Sequence, residues 1–425
     1  MAHRSYLSPD GKQVLLVEMK FSAWMPCRLT PFDGSSQGRT VGPAPAQCTD
    51  AAWSPDGTWM YFSANTGNGY HIWRQRFPDG APEQITSSAT QEEGIEFAPD
   101  GRSFVTSIGA SQSTLWIHDS RGDRQITSEG FSLFPSFSPD RKKLYYLLRA
   151  GDAQSITSGE LWVADLESGQ RQRLLPDFLM RHYSISADGQ RIVFVASNEA
   201  GRYPVWLATL NRRSSPRQVT ARDARKAFFG TSGDVLFSGQ EKGTNFLYRV
   251  KEDGGDLPEP LPTPNYLGRQ MYLADAGFSV SPSGKWAVVR GPTEDMPNAV
   301  VVYPIGGGSP ILICEKCVQE STFERGPAPY SVNWSPDGTF LYLNFEGAVY
   351  SIPVQPGETL PPIPPSGFRT KQDVAALRGA RLIAEGTFPG PDPSVYAFTK
   401  FSIQRNIYRI SVPRPRVADG KVDCG

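Results

Sequence analysis

Apolar residues along this chain gather in short runs separated by clusters of Gly, Pro, Asp and Asn. Trp59-Met60-Tyr61-Phe62-Ser63 is an aromatic, β-prone run. Asn65-Thr66-Gly67-Asn68-Gly69 follows as a loop of turn formers. His71-Ile72-Trp73-Arg74-Gln75-Arg76-Phe77 predicts a strand with polar residues interleaved, and Pro78-Asp79-Gly80 turns the chain back. Glu83-Gln84-Ile85-Thr86 is a fourth, weaker strand. Led in by residues 50–54, these runs predict one four-stranded antiparallel sheet. The same order recurs in Phe104-Val105-Thr106, Leu115-Trp116-Ile117 and Gln125-Ile126-Thr127. It recurs again in Leu144-Tyr145-Tyr146-Leu147, Leu161-Trp162-Val163 and Arg173-Leu174-Leu175, then in Ile192-Val193-Phe194-Val195, Val205-Trp206-Leu207 and Gln218-Val219-Thr220. Helical periodicity is nearly absent. Asp373-Val374-Ala375-Ala376-Leu377-Arg378 predicts a turn or two of helix, and Pro-rich residues 353–365 an extended connector.

Each unit carries a mark. Ser54-Pro55-Asp56-Gly57 recurs unchanged at Ser8 and Ser335, and with one change at Ala98, Ser138, Ser186 and Ser281. Degenerate copies begin at Gly230 and Gly390, so the starts step by 40 to 55 residues through nine units. Such a period means an array of equivalent supersecondary units. In the turn, Pro fixes φ, Asp bonds its own backbone and Gly accepts φ > 0, which gives these aspartates a structural role. An aromatic recurs in the third strand at Trp73, Trp116, Trp162, Trp206, Tyr248, Tyr350 and Tyr408, suited to a layer between neighbouring sheets.

Repeated four-stranded units predict an all-β fold, a β-propeller with eight blades as the expected count. Seven or nine blades, or part of a double propeller, stay open. Residues 1–412 form the propeller and residues 413–425 a C-terminal tail. The last unit lacks a convincing fourth strand, and few residues precede the first turn. The ring therefore closes imperfectly, or its closing strand belongs to a longer parent chain.

The Ser-Pro-Asp-Gly turns resemble those of TolB-like and WD40-like bacterial propellers. Trp24-Met25-Pro26-Cys27-Arg28-Leu29-Thr30-Pro31-Phe32-Asp33-Gly34, Ile126-Thr127-Ser128-Glu129-Gly130 and Gln404-Arg405-Asn406-Ile407-Tyr408-Arg409 look like the propeller portion that follows the kinase domain of some bacterial serine/threonine protein kinases. The resemblance implies sensing or protein interaction. The sequence has no Gly-rich loop with a strand lysine, no His-Arg-Asp and no Asp-Phe-Gly, so it carries no kinase chemistry.

Lys plus Arg and Asp plus Glu number 43 each, a balance that disfavours nucleic acid as partner. No apolar run approaches the roughly 18 residues of a membrane helix, and the first residues lack a signal-peptide core. A periplasmic location follows if the chain is the sensor part of a membrane-anchored parent, a cytoplasmic one otherwise. A monomer without cofactor is expected.

Binding residues concentrate in loops on a rigid scaffold. The longer loops, between strands two and three and from strand four to the next sheet, share the face opposite the Pro-Asp-Gly turns. Glu92, Glu93, Phe134, Arg181, His182, Arg225, Lys226 and Tyr330 are expected to line the channel mouth there and to bind a protein, peptide or small ligand. The alternative is a propeller hydrolase or lyase, with His182 and Arg181 acting near Glu92 and Glu93. Cys314-Glu315-Lys316-Cys317 is a weak metal candidate, since no second ligand pair exists; a local disulfide or two free thiols suits it better. Cys27 and Cys48 are candidates to pair. Gly34-Ser35-Ser36-Gln37-Gly38 matches a nucleophile elbow in letters but sits in a turn without a following helix.

Overall fold

The computed structural model describes residues 2–412 except 21–22, 88–89, 150–157, 212–213, 232, 242–243, 256, 262–277, 291–297 and 318–330. Tyr330, the tail 413–425 and much of the expected binding loops lie outside the described residues. Among the described residues the chain is almost wholly β, with one short α-helix, Lys371–Ala375, capped by Thr370 in a capping box with Asp373. Among the described residues no helix is long and apolar enough to cross a membrane.

Two compact units form. Among the described residues the first contains 2–111 and 403–412, and the second 112–149 and 158–402. In the first, two sheets are built from sequential strands, the second of them Gln47–Trp53, Trp59–Asn65, Tyr70–Arg76 and Pro82–Gln84. Its third sheet joins Gln91–Phe97 to residues 103–109, and those to residues 403–411. Leu15, Val17, Phe62 and Met60 fill the layer between the first two sheets; Tyr61, Phe104 and Ile72 fill the next.

The second unit is a β-propeller of four-stranded antiparallel sheets. One runs Ala224–Phe229, Asp234–Glu241, Thr244–Lys251 and Glu259–Pro260, each strand beside its sequence neighbour. Among the described residues six such sets follow one another, and an apolar layer fills each successive gap, for example Val193, Val205, Ala227 and Phe237. One set is assembled from distant segments. Thr387–Pro389 and residues 396–402 supply its first two strands, residues 112–119 and Gly122–Gln125 the other two. Trp116 stacks with Phe398, and His118 with Tyr396 at 4.7 Å.

Three expectations change. The single eight-bladed ring is not confirmed, because the nine units divide between two bodies. The strands expected at Phe104 and Leu115 are one continuous strand, Ser103–Asp119: the stretch Ile108-Gly109-Ala110-Ser111-Gln112-Ser113 has no turn residue at positive φ to reverse it. Tyr396–Ser411 is continuous for the same reason, and Arg171–Ile185 joins an outer strand to the next inner one. The closing strands of the second unit come from inside the chain, which the expectation of a missing terminal strand did not anticipate.

The turn mark behaves as its chemistry dictates. Asp56 Oδ1 accepts from Ser54 Oγ at 2.6 Å and Thr58 N at 3.0 Å, and Ser54 Oγ accepts from Trp59 N at 2.9 Å. Ser8/Asp10, Ser138/Asp140, Ser186/Asp188 and Ser335/Asp337 repeat the hydroxyl–carboxylate bond. A second mark, Gln-Ile-Thr, also has a mechanism. Thr86 and Thr127 hydroxyls accept from the N–H of Ile72 and Leu115, both at 2.8 Å, while Gln84 and Gln125 brace the threonine carbonyls. Both cysteine pairs are bonded, Cys27 to Cys48 and Cys314 to Cys317.

Candidate functional site

One position in each inner strand organises the channel: the fourth residue before the turn mark. It is Arg4, Asp50, Gly94, Phe134, His182, Lys226, Ser331 and Gly386 in the described units. The strand bulges at or beside this position, as between Cys48 and Asp50, Met180 and His182, and Ala224 and Lys226. The bulge aims the side chain at the neighbouring sheet. In the first unit Asp50 Oδ2 accepts from Ile95 N at 2.9 Å. In the second, His182 Nδ1 accepts from Ala227 N at 3.3 Å, and Lys226 Nζ donates to the Phe278 carbonyl at 3.2 Å. In these three links the receiving residue stands third before the next turn, so each clasps one inner strand to the next.

Of the expected site residues, Glu92, Glu93, Phe134, Arg181, His182, Arg225 and Lys226 lie within inner strands, and Tyr330 lies outside the described residues. Glu92 is 1% exposed, and its carboxylate meets His71 Nδ1 at 2.7 Å and the Thr86 hydroxyl at 3.1 Å. Glu93 pairs with Arg405 at 3.0 Å. Both glutamates belong to the first unit, and their described contacts there include neither His182 nor Arg181. Arg181 lies over the Tyr203 ring at 3.2 Å, and Lys226 is fully enclosed. Arg225 is half-buried beside it in the strand.

The second unit encloses a cavity of about 450 Å³. All six inner strands contribute to its wall, among them Phe134, Pro135, His182, Phe228, Phe229, Val280, Asn333, Trp334 and Pro389. It opens among the Pro-Asp-Gly turns, through Pro139, Asp188, Pro282 and Pro336, so it lies toward the face opposite the expected one. Of the expected residues, Phe134 and His182 line it. Phe228, Phe229 and Trp334 went unnoticed, although the apolar residue just before each turn mark was a signal. The wall mixes aromatic rings and prolines with about as much polar surface, from Ser136, His182, Ser184, Ser186, Asp188, Ser281 and Asn333, and the Arg191–Glu252 ion pair stands at the rim. Burial, then the nearby Lys226 charge, pushes the His182 imidazole well below its usual range. The ring is thus neutral near pH 7, and with Nδ1 accepting it carries its proton on Nε2.

Cys314 and Cys317 are bonded to each other, so their sulfurs are not offered to a metal. Among the described residues no group of three or more His, Cys, Asp or Glu is placed to hold one.

No protein-family model matches this chain. It is similar to Dipeptidyl-peptidase 5 of Porphyromonas gingivalis, 26% identical over 272 residues, a match covering 58% of this chain and 38% of that protein. The chain thus spans well under half the length of that curated relative. Among solved structures, it is similar to TolB from Acinetobacter baumannii at 15% identity and a TM-score of 0.40, covering 68% of this chain and 75% of that one. A puromycin hydrolase gives 15% identity and a TM-score of 0.36, with 83% and 58% covered. The kinase-linked resemblance is not confirmed by these comparisons.

Proposed function

We propose that this chain is a non-catalytic binding module whose site is the cavity of the second unit, and that its ligand is a peptide or protein segment. The cavity carries the reading. Its walls set aromatic rings such as Phe134, Phe228 and Trp334 among polar groups such as His182, Ser184 and Asn333, a mixture that suits a peptide, which offers both apolar side chains and a polar main chain. The inner-strand side chains that titrate are engaged in clasps between sheets, which suits a rigid receptor better than acid–base chemistry. A relative whose name denotes action on peptides supports the ligand class. The signalling context drawn from the kinase-linked resemblance completes the proposal: peptide occupancy would be the sensed event.

The test is calorimetric titration of the chain with a pool of N-acetylated dipeptide amides. Ala187 lines the cavity from an exposed turn position, so Ala187→Trp fills the mouth without touching the core. Loss of binding in that variant, with unchanged thermal unfolding, is the expected result. Equal binding by both proteins overturns the reading. The peptidase relative also favours a second reading, hydrolysis at the channel mouth. Release of p-nitroaniline from dipeptidyl p-nitroanilides, abolished by Ala187→Trp, would replace the first reading with the second.

A further inference from the structure

Phe134 breaks a rule that its sister positions keep. It occupies the bulge with φ of +49°, and the equivalent residues at positive φ are both glycine, Gly94 at +82° and Gly386 at +67°. A left-handed backbone is costly for a bulky side chain and free for glycine. Nothing crowds the equivalent Gly94, whose added Cβ would meet only Asp50 Oδ2 at 3.8 Å, so what opposes a side chain at this position is the backbone conformation and not lack of space. The left-handed turn has a second effect. At Asp50, His182 and Lys226 the side chain makes the clasp to the next strand. At Phe134 the main-chain carbonyl makes it, accepting from the Tyr183 hydroxyl at 2.7 Å. The ring is thereby released from the clasp; it packs in part against the apolar cluster that includes Leu133 and Tyr183, and it lines the cavity. Strain kept at a cavity wall is an indicator of use.

From this we infer that Phe134 is the specificity-determining residue of the cavity and stacks on an aromatic side chain of the bound peptide. The inference rests on the peptide-binding reading above. A ring–ring contact adds roughly a two- to tenfold preference beyond area burial. Its absence leaves aliphatic ligands unaffected.

The experiment uses two probes, N-acetyl-phenylalaninamide and N-acetyl-leucinamide, titrated into the full chain and followed by ligand-observed NMR. The unaltered protein is expected to prefer the phenylalanine probe about two- to tenfold. Phe134→Gly and Phe134→Asn both tolerate the left-handed backbone and lack the phenyl ring. Each is expected to bind the two probes equally, with leucine-probe affinity within about twofold of the parent. Phe134→Tyr restores the preference. If the preference survives in both ring-less variants, the role of Phe134 is overturned while the cavity remains the site. If neither probe binds the unaltered chain, or Ala187→Trp leaves binding intact, the cavity reading itself fails and this inference with it. Thermal unfolding of each variant separates loss of the ring from loss of the fold: a ring-less variant that melts like the parent and keeps the preference refutes the inference directly.

Discussion

Breaking the Cys27–Cys48 bond should weaken the first unit far more than its size suggests. Cys27 precedes the strand Arg28–Pro31 of the first sheet, and Cys48 lies in the inner strand of the second, so the bond staples two sheets that otherwise meet through side chains and the hydrogen bond from Cys48 N to the Met25 carbonyl. Both residues are at most 2% exposed, within the cluster of Leu15, Val17, Met60 and Phe62. The bond closes a sequence separation of 21 residues. In the chain-entropy treatment that restricts the unfolded state by about 3 kcal/mol at 25 °C. Replacing both cysteines by alanine also removes two buried sulfurs, about 1 kcal/mol apiece. A total of about 4–5 kcal/mol corresponds to a fall of some 15 °C or more in the melting of a unit this size. Differential scanning calorimetry of Cys27→Ala/Cys48→Ala resolves it, read on whichever transition moves. The control is Cys314→Ala/Cys317→Ala, whose bond spans a separation of only 3 and restricts the unfolded chain by less than 2 kcal/mol. Equal shifts in the two double variants, or a shift below about 1 kcal/mol in the first, would refute the staple argument. In the unreduced, denatured chain one thiol of the five should react.

Other outcomes follow from single groups. Arg141 stands in the glycine place of its turn at φ of +63° and pairs with Asp337 at 3.2 Å through an exposed guanidinium; Arg141→Gly should raise stability by about 0.5–1 kcal/mol in urea unfolding, since the relieved strain exceeds an exposed ion pair. The Ser54 hydroxyl, helped by the Thr58 contacts and opposed by burial, holds the Asp56 carboxyl below its usual range, and Ser186 does the same for Asp188; stability from these turns is complete above the unfolded carboxylate pKa and drains as pH falls through the lower folded one, so acid titration of unfolding should steepen below about pH 4. His182, depressed by burial, contributes stability that is present above about pH 6.5 and lost as pH falls below it; His182→Gln should flatten the stability profile between about pH 5 and 6.5. Burial and then the Asp50 bond push the Tyr6 phenol up to about 12, so its contribution is whole below about pH 10 and disappears as pH rises through 12, visible as an alkaline loss absent in Tyr6→Phe.

The repeat, its turns and its sheets were legible because each is encoded locally. Ser-Pro-Asp-Gly and Gln-Ile-Thr close hydrogen bonds within a few residues or onto the adjacent strand. The partition into two units was not legible, because it depends on which strands pair across hundreds of residues, and Trp116 carries no sign that its neighbour is Phe398. The site was half legible. Phe134, His182 and Lys226 were among the residues expected at the channel mouth, but their common repeat position and the bulge there, which lets two of them clasp the next sheet, show only in the folded strands. Which mouth of the channel holds the cavity depends on how wide the ring of turns stands, and no residue spacing reports that.

The set of strands that completes the second unit imposes a delay on the newborn chain. Thr114 meets the carbonyl of Lys400, 286 residues further along. At about 5–20 residues per second the ribosome needs roughly 15–60 s to supply the second half of that sheet. Throughout that interval Leu115 and Ile117 have Phe137, Leu144 and Tyr146 beside them but not Phe388 and Ala397, and residues 112–119 lack their neighbouring strand. Faster elongation or a slower-folding variant between these points changes how long an adhesive edge is open to other chains, so expression yield should respond to growth temperature and chaperone supply more than equilibrium stability would suggest.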